Sequence, residues 1–561
     1  MEKYLDESLS IDERADDLVS RLTIQEKVEQ MIHGAKGVKR LGISEYNWWN
    51  ESLHGVARAG TATVFPQCIG LGATFNVPLV NRIAEITSTE GRAKYNVQSA
   101  HGDFDIYKGL TYWTPNINIF RDPRWGRGHE TYGEDPYLTT QMGLAFVDGL
   151  QGHEKHMKIA ACAKHFAVHS GPEELRHEFD AIASKKDMEE TYLPAFKALV
   201  KEGRVESVMG AYNRTNGEPC CGSKTLLQDI LRDEWGFKGH VVSDCWAIRD
   251  FHENHHVTKT PEESAAMALK NGCDINCGCT YEYLMKAYNK GMVTEDDINT
   301  AFKRLAVTWL KLGMFDKKTE FDDIPYSVVA CRDHRETAVE AARQSIVLLK
   351  NDGILPLKDG IKTIGVIGPN ADSRAALLGN YTGTPLKHVT VLEGIMAEAE
   401  KHGINVMYSE GCHLYKDRTS VLAKKYDRDS EAFTVAEQSD VVVLCLGLDA
   451  SVEGEQGDAG NEFGSGDKHD LRYPAIQRHI MDIVIGTGTP VILVSMTGSA
   501  MDMRRADECC AAVVQAWYPG GEGGTAVADV LFGNCSPSGK LPVTFYKSTD
   551  DLPDFTDYDM K

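Results

Sequence analysis

Short apolar runs alternate with amphipathic stretches along the first half of the chain. The runs KIAACAKHFAV, ESVMGAYN and HVVSDCWAI have the length and β-branched content of buried strands. Between them, DMEETYLPAFKALVKEG and PEESAAMALKNG have helical patterns, and upstream a capping box of Thr23 and Glu26 starts another helix. Alternating strands and helices predict a parallel sheet, and about 300 residues of them suit a (β/α)8-type barrel.

The apolar pattern resumes after the charged, proline-containing segment 316–334, which we interpret as a linker. We predict that ETAVEAARQSIVLLKN is a helix. Four buried strands are predicted after it: IKTIGVIGPNA, DVVVLCLGLDA, TPVILVSMTG and AAVVQAWYPGG. Each ends in glycine or small polar residues, which is typical of a doubly wound α/β sandwich. The predicted divisions are a barrel over 1–315, a linker over 316–337, the second domain over 338–547 and a tail over 548–561.

In the run HVVSDCWAI, the acid Asp244 follows the apolar pair Val241 and Val242 after a single serine. The carboxyl end of a buried parallel strand is where α/β folds keep their chemistry. A Ser-Asp pair after a strand is also a common helix N-cap. The motif alone leaves both interpretations open.

Other polar side chains stand at the ends of predicted strands of the first domain. Strand ends converge on one face of a barrel, so residues distant in sequence can line a single pocket. A mixture of acids, bases and aromatic rings suits a polyhydroxylated ligand, although each residue alone could form a surface salt bridge or a cap. The candidates are Glu51, Arg127, Lys164, His165, Arg176, Tyr212 and Asp244.

An acidic, glycine-rich loop, LGLDASVEGEQGDAGNEF over residues 446–463, follows a predicted strand of the second domain. Its acids Glu453, Glu455 and Asp458 could be placed over the pocket of a neighbouring domain. Calcium binding is the alternative, but the spacing does not match an EF-hand. One rigid and one mobile carboxylate are what retaining glycoside hydrolysis requires. In such an enzyme we expect apolar or anionic surroundings to hold up the pKa of the acid.

Composition narrows the partners and the compartment. A net charge of −22 disfavours nucleic acid and anionic membranes as partners, whereas a neutral sugar is not repelled. The N-terminus lacks an apolar core flanked by basic residues and no run could span a bilayer, so we expect a cytoplasmic protein. The 14 cysteines are too few and too scattered for a disulfide scaffold. The cluster of Cys273, Cys277 and Cys279 could bind zinc. We favour the alternative, in which these cysteines pack within a loop.

Taken together, the motifs resemble glycoside hydrolase family 3 over nearly the whole chain, and most closely its β-xylosidase branch. Matching stretches include WWNESLHGV, FRDPRWGRGHETYGEDPYL, AKHFAVHSGPEELRHEFDA, VVSDCWAI and GLDASVEGEQGDAGN. The resemblance implies that Asp244 is the nucleophile and that the second-domain loop supplies the acid/base, for which we choose Glu455 over Glu453. No cofactor or metal is implied. The residues implied to bind the sugar are Glu51, Arg127, Lys164, His165, Arg176 and Tyr212.

Glu51 bears on the choice of sugar. The glucosidase branch typically has aspartate at this position, and the longer side chain would fill the space of the C6 hydroxymethyl group. We therefore expect cleavage of terminal β-D-xylosyl residues from xylo-oligosaccharides, with α-L-arabinofuranosides as a secondary substrate. A β-glucosidase, a phosphate-dependent phosphorylase and a non-catalytic sugar-binding protein are the alternatives.

Two departures from family patterns qualify these expectations. The segment KHFAVHSGP lacks the proline and glycine pattern of the N-acetylglucosaminidase branch, which uses a histidine and aspartate pair, although His169 is present. Xylosidases of this type usually continue into a fibronectin-like β-sandwich, and we expect that domain to be absent after DLPDFTDYDMK. The surface that this domain normally contacts would then be exposed. A homo-oligomer therefore stays an open alternative.

Overall fold

Parallel strands in the first domain bring their carboxyl ends to one face. The computed structural model of the protein describes residues 2–457 and 466–560. In it the strands Thr111–Tyr112, Ala160–Phe166, Ser207–Gly210 and His240–Ser243 pair in this order, and every pair is parallel. The last three strands are buried along their whole length, as expected for a sheet covered on both faces.

Short bridges close this curved sheet into a ring. They are Val242 with Ile275, Ile32 with Asn276 and Asn50 with Tyr112, all parallel. An antiparallel pair, Gly34–Ala35 with Tyr46–Asn47, completes the circuit. The prediction of a barrel-like parallel α/β domain is confirmed, although four strands form the regular part of its sheet among the described residues. A separate small sheet contains Asp180–Ala181, Arg214–Thr215 and Glu218–Pro219.

Helices surround the ring and begin where the sequence supplies caps. Thr23 and Glu26 form the predicted capping box, in which the Glu26 N–H donates to Thr23 Oγ1 at 3.2 Å. The pattern predicted as one helix from residue 187 starts as a π-helical turn, Met188–Tyr192, before the regular helix. A longer π-helix is Lys224–Glu234. The α-helices of this domain are Ile11–Arg21, Ile24–Gln30, Cys68–Ala73, Val77–Ala100, Pro136–Gln151, Lys185–Asp187, Pro194–Lys201, Ala247–Glu253, Pro261–Lys270, Leu284–Asn289 and Glu295–Lys311.

The second domain is a doubly wound sheet, as predicted. Its strands, in spatial order, are Val347–Asn351, Ala512–Gln515, Val491–Met496, Val441–Gly447, Thr363–Ile367 and Asn405–Ser409. All neighbours are parallel except the first pair. Val443 and Cys445 face one hydrophobic core while Val442 and Leu444 face another, so both faces of the sheet are covered. The α-helices that follow or flank these strands are Arg332–Ser345, Ala375–Leu378, Val391–His402, Asp429–Glu437, Ala475–Gly486, Arg504–Cys509 and Gly523–Phe532.

The apolar run IVLLKN was predicted as the end of a helix, and this prediction is wrong. The helix stops at Ser345, and the run becomes the antiparallel edge strand of the second domain. Leu348 packs against one core of the sheet and Leu349 against the other. Successive side chains that point to opposite faces have the period of a strand, and the buried surface on both sides overrides the helical continuation.

The segment between the domains packs against the barrel. The buried side chain of Asp316 forms an ion pair with Arg14 at 2.5 Å and a hydrogen bond with His156 Nε2 at 2.8 Å. The next helix, Arg332–Ser345, begins inside the predicted linker. The predicted domain boundaries otherwise stay a prediction.

The tail returns from the second domain to the barrel. Tyr558 is buried there, where its hydroxyl accepts the N–H of Ser170 at 2.9 Å and Arg121 lies 3.8 Å from its ring centre. The tail therefore packs beside the loop that carries His169 and Arg176. Among the helices of the described residues, none combines the length and apolarity that a bilayer span needs.

Candidate active site

A pocket of about 380 Å³ lies where the carboxyl ends of the barrel strands meet the second domain. It brings together all of the first-domain candidates and one glutamate of the acidic loop: Glu51, Arg127, Lys164, His165, Arg176, Tyr212, Asp244 and Glu455. Its remaining lining residues were not singled out from the sequence: Trp49, Arg58, Trp113, His177, Met209, Cys245, Trp246, Arg249, Tyr381, Gln456 and Gly457.

Asp244 leaves the strand His240–Ser243 with one carboxylate oxygen unpaired. Its Oδ1 accepts the N–H of Cys245 at 2.9 Å, whereas Oδ2 has no hydrogen-bond partner among the described residues. His165 Nε2 lies 3.8 Å from Oδ2. The following helix, Ala247–Glu253, has Trp246 at its N-cap position and no side-chain cap, so Asp244 is not its N-cap. An unpaired oxygen on a buried carboxylate in a pocket is suited to react with a ligand.

Burial raises the pKa of Asp244 to about 6. Arg127 acts in the opposite direction by stabilising the ionised form, and the neighbouring carboxylate of Glu455 adds to the rise. Burial also lowers the pKa of His165 well below its ordinary value, with Arg127 contributing. His165 is therefore a neutral hydrogen-bonding group at neutral pH.

The side chain of Glu455 extends from the second domain into the pocket, where it accepts hydrogen bonds from two arginines and a tyrosine. Its Oε1 accepts from Arg176 Nη1 at 2.8 Å and from Arg127 Nη1 at 3.4 Å, and its Oε2 accepts the Tyr381 hydroxyl at 2.5 Å. Burial by itself would raise the pKa of Glu455, but the two arginines and the Tyr381 hydroxyl lower it to about 2. The expectation that the surroundings hold this pKa up is wrong here. Arg127 and Arg176, the two arginines expected to bind the sugar, both contact this carboxylate.

Glu453 points away from the pocket, into the second domain. Its carboxylate is fully buried and accepts the Ser499 and Tyr518 hydroxyls, each at 2.5 Å, together with the N–H of Gly498. The two glutamates of the loop therefore have separate environments. Asp458, the third acid considered, lies outside the described residues.

A buried ion pair between Lys164 and Glu51 lines the pocket. Lys164 Nζ lies 3.0 Å from Glu51 Oε2, and Trp49 Nε1 donates to Glu51 Oε1 at 3.2 Å. Burial raises the pKa of Glu51, and Lys164 opposes that rise. Trp49 stacks on Trp113, with ring centres 5.5 Å apart. These contacts fix the Glu51 side chain in one direction.

The cations of the pocket are oriented by further buried carboxylates. Arg127 makes a bidentate pair with Glu130, at 3.0 Å from Nε and 2.8 Å from Nη2. Arg176 lies 4.5 Å from the ring centre of Tyr212 and 3.3 Å from Glu173 Oε2. Planar guanidinium groups held in this way present their remaining N–H groups in fixed directions.

Tyr381 is the pocket residue that sequence reasoning most clearly missed. It lies in LGNYTG of the second domain, where its hydroxyl reaches Glu455 and Lys164 Nζ lies 4.9 Å from its ring centre. Nothing in its local sequence indicates this role, because its position depends on how the two domains pack.

His169 lies beside the pocket but does not line it. Its Nδ1 is 3.1 Å from Asn213 Oδ1, and burial lowers its pKa to about 3. A neutral, buried histidine bonded to an amide is a structural group here. The proton-transfer role that the N-acetylglucosaminidase branch would give it is not favoured by this arrangement.

The cysteine cluster contains a disulfide that the sequence did not indicate. Cys277 pairs with Cys245, the residue after Asp244, so neither offers a thiolate to a metal. Cys273 is buried and Cys279 is exposed. The disulfide joins the strand end that carries Asp244 to the next segment of the ring.

Sequence models of two protein domains match this chain. The Glycosyl hydrolase family 3 N terminal domain covers residues 15–308, and the Glycosyl hydrolase family 3 C-terminal domain covers residues 346–561. The chain belongs to glycoside hydrolase family 3. This family 3 chain is therefore a glycoside hydrolase, with the two-domain architecture described above.

Similar proteins support this assignment. A xylan 1,4-β-xylosidase of Xylanibacter ruminicola is 37% identical over 100% of this chain and 82% of its own length. A β-xylosidase/α-L-arabinofuranosidase of Medicago sativa subsp. varia is 38% identical over 97% of this chain and 70% of its own length.

Solved structures agree with the sequence comparison. A family 3 exo-β-xylosidase in complex with a xylobiose aziridine activity-based probe has a TM-score of 0.91 at 32% identity, covering 100% of this chain and 72% of that one. A β-glucosidase of Erythrobacter marinus has a TM-score of 0.87 at 30% identity, covering 98% of this chain and 80% of that one.

Proposed function

We propose that this family 3 hydrolase is a retaining, exo-acting β-xylosidase that removes terminal β-D-xylosyl residues from xylo-oligosaccharides, with α-L-arabinofuranosidase activity on the side. The main observation behind this proposal is that Asp244 and Glu455, which belong to different domains, line the same pocket. Its volume of about 380 Å³ is at the small end for ligand pockets, which suits one terminal sugar better than the middle of a chain.

In the first step, Asp244 Oδ2 attacks the anomeric carbon as the bond to the leaving oxygen breaks. Glu455 gives its proton to that oxygen, and a covalent glycosyl-enzyme remains. In the second step, water attacks the same carbon, Glu455 takes a proton from the water, and the bond to Asp244 breaks. Two inversions at one carbon retain the β configuration.

Glu455 needs a proton for the first step, whereas Arg127, Arg176 and the Tyr381 hydroxyl lower its pKa to about 2. Arg127 and Arg176, which cause this lowering, are also proposed sugar ligands. When a sugar hydroxyl accepts from these arginines, they stabilise the Glu455 carboxylate less, and its pKa rises towards that of an ordinary glutamate. Substrate binding would thus prepare the acid that the reaction uses.

Among the proposed ligands, Lys164 and Arg176 donate charge-assisted hydrogen bonds to sugar hydroxyls. Tyr212 supports the side of the ring that faces Asp244, since burial and the Asp244 charge raise its pKa well above its ordinary value and keep it neutral. Glu51, Arg127 and His165 complete the set. The Glu51 side chain would occupy the space of a C6 hydroxymethyl group, which would favour a pentose.

The alternatives differ from this proposal in what they require. β-Glucosidase activity on the same scaffold is supported by the Erythrobacter marinus structure and would need space beside Glu51. A non-catalytic sugar-binding protein needs no pair of carboxylates. A phosphorylase would resolve the same intermediate with phosphate, so turnover of 4-nitrophenyl β-D-xyloside would depend on added phosphate.

The decisive experiment compares wild type with Asp244→Ala, Glu455→Ala and Glu453→Ala on 4-nitrophenyl glycosides of xylose, glucose, arabinose and N-acetylglucosamine. We expect Asp244→Ala to lose roughly 10⁴-fold or more in kcat. For Glu455→Ala, azide should restore turnover and yield β-xylosyl azide, since the small anion needs no general base. Rescue of Glu453→Ala instead of Glu455→Ala would assign the acid/base to Glu453.

The cytoplasmic location and the oligomeric state stay predictions. The disulfide between Cys245 and Cys277 counts against the cytoplasm, because disulfides persist in oxidising compartments. Alkylating free thiols in intact cells before mass spectrometry would report the state of both cysteines. Two alkylated cysteines in cells would favour the cytoplasm.

A further inference from the structure

The loop that carries Glu455 is attached to the barrel at its base. The two sides of the base are residues 454–457 and 466–468, and the Gly454 N–H donates to the Gly466 carbonyl at 3.1 Å. Both sides meet Gly126 of the barrel, where a Cβ would overlap the carbonyl oxygens of Gly454 and Gly466. Gly126 directly precedes Arg127, so the loop base lies against the backbone that carries one of the Glu455 donors.

Asp467 makes the strongest of these attachments. Its Oδ1 accepts the N–H of Gly126 at 2.8 Å, and its Oδ2 accepts the N–H of Glu173 at 2.6 Å. Both bonds run from the second domain to the barrel, and the Asp467 side chain is 97% buried, with 3% exposed. A buried carboxyl group whose two oxygens each accept a backbone N–H group fixes the separation of the two segments.

The two segments that Asp467 holds are those that orient the arginines around Glu455. Gly126 adjoins Arg127 in the chain, and the Glu173 carboxylate lies 3.3 Å from Arg176 Nη1. The Glu173 carboxylate also accepts the N–H of Gln456, the residue after Glu455, at 3.4 Å. The chain of contacts therefore runs from Asp467 to both arginines and back to the backbone beside Glu455.

We propose that Asp467 is a positioning residue for the acid/base: it holds the base of the Glu455 loop on the barrel so that Glu455 reaches the leaving oxygen. Asp467 does not line the pocket, so its effect passes through the loop. This inference rests on the proposed role of Glu455. It predicts that loss of Asp467 damages proton transfer more than it damages attack by Asp244.

Leaving groups of different basicity separate these two effects. A sugar leaving group, as in xylobiose, needs a proton from Glu455, whereas the leaving group of 2,4-dinitrophenyl β-D-xyloside does not. We expect Asp467→Ala to lower kcat/KM for xylobiose by about a hundredfold, the size of effect that a misplaced catalytic group produces. For the dinitrophenyl substrate, kcat/KM should stay within about threefold of wild type. With the dinitrophenyl substrate, azide should accelerate turnover of the variant, as is expected for Glu455→Ala.

Three further variants sharpen the test. Asp467→Asn keeps one of the two acceptors and should give an intermediate loss on xylobiose. In Gly126→Ala, the added Cβ would push the two sides of the loop base away from the barrel. This variant should therefore reproduce the selective loss of kcat/KM on xylobiose. Asp470→Ala is the matched control, because its carboxylate accepts from the backbone and the side chain of Arg472 on the same side of the loop. It should leave both substrates unchanged.

The ratio of the two kcat/KM values does not depend on how much of a variant is folded. Equal losses on both substrates in Asp467→Ala and Gly126→Ala would show a merely structural role and overturn the proposal, as would no loss at all. Glu455→Ala serves as the reference. If it shows neither selective loss nor azide rescue, the proposed role of Glu455 has failed, and the role of Asp467 fails with it.

Discussion

Arg176 donates to Glu455 across the domain boundary at 2.8 Å. This contact joins a proposed sugar ligand of the barrel to the proposed acid/base of the second domain. Because the same guanidinium lowers the pKa of Glu455, any hydroxyl that draws Arg176 away makes Glu455 easier to protonate. The contact thus couples the presence of a sugar to the proton that the reaction needs.

We expect opposite pH dependences for two kinds of substrate. With 2,4-dinitrophenyl β-D-xyloside, kcat/KM needs only ionised Asp244, so it should fall about tenfold per pH unit below its pKa of about 6 and stay level above it. Xylobiose also needs a proton on Glu455, whose pKa is about 2. The two carboxyls then share one proton, and kcat/KM should fall above about pH 6. Profiles from about pH 4 to about pH 8 that run parallel for both substrates would contradict this.

Removing Arg176 should move the alkaline limit for xylobiose. Arg176 stabilises the ionised forms of both Asp244 and Glu455, so in Arg176→Ala the pair holds its shared proton to a higher pH and the fall in kcat/KM begins at a higher pH. The position of the limit is the measured quantity, because the variant also loses a proposed sugar contact and its overall rate drops. If the pH at which kcat/KM for xylobiose begins to fall is the same in Arg176→Ala as in wild type, Arg176 does not control the proton that Glu455 needs.

Ionised Asp244, the form that acts as nucleophile, should lower the free energy of unfolding of the protein. Its folded pKa of about 6 lies above its unfolded value of 3.8, so the ionised side chain destabilises the folded state. The destabilisation is absent below about pH 4 and complete above about pH 6. Asp244→Asn should therefore raise the free energy of unfolding near pH 7 by up to about 3 kcal/mol. Urea unfolding at both pH values measures this, and an equal gain at about pH 4 would point to another cause.

Glu51→Asp should relax the choice between pentose and hexose. Shortening the side chain by one methylene opens the space beside the sugar's C5, which is worth about 1 to 3 kcal/mol in similar pockets. The ratio of kcat/KM for 4-nitrophenyl β-D-xyloside to that for the β-D-glucoside should fall correspondingly. A ratio that does not change would remove Glu51 as the source of specificity.

The disulfide between Cys245 and Cys277 should support both stability and activity. It closes a segment with a sequence separation of 32 residues, for which loop entropy suggests a stabilisation of about 3 to 4 kcal/mol. Cys277→Ser should lower the urea midpoint and the activity, because Cys245 adjoins Asp244. The exposed thiol of Cys279 offers the control, and Cys279→Ser should change neither. Equal behaviour of the two variants would count against a role for the disulfide.

Local pattern predicted much of the fold because burial leaves a periodic trace in the sequence. The strand at 441–447 is a continuous apolar run, the strand at 160–166 is apolar except for Lys164 and His165, and the capping box at Thr23 appears as predicted. This reasoning failed for the run IVLLKN, because a short apolar run fits a helix and a strand equally well. The partner strand Ala512–Gln515, more than a hundred residues away, decided it.

By itself the sequence determined the order of elements and the residue types available for chemistry, including an acid at the end of the strand His240–Ser243. Only the tertiary structure decided which groups meet. It separated Glu455 from Glu453, added Tyr381, and placed Arg176 against Glu455. The reason is physical: local propensity acts between neighbours in the chain, whereas the pKa and the direction of a buried carboxylate depend on charges that only domain packing brings near.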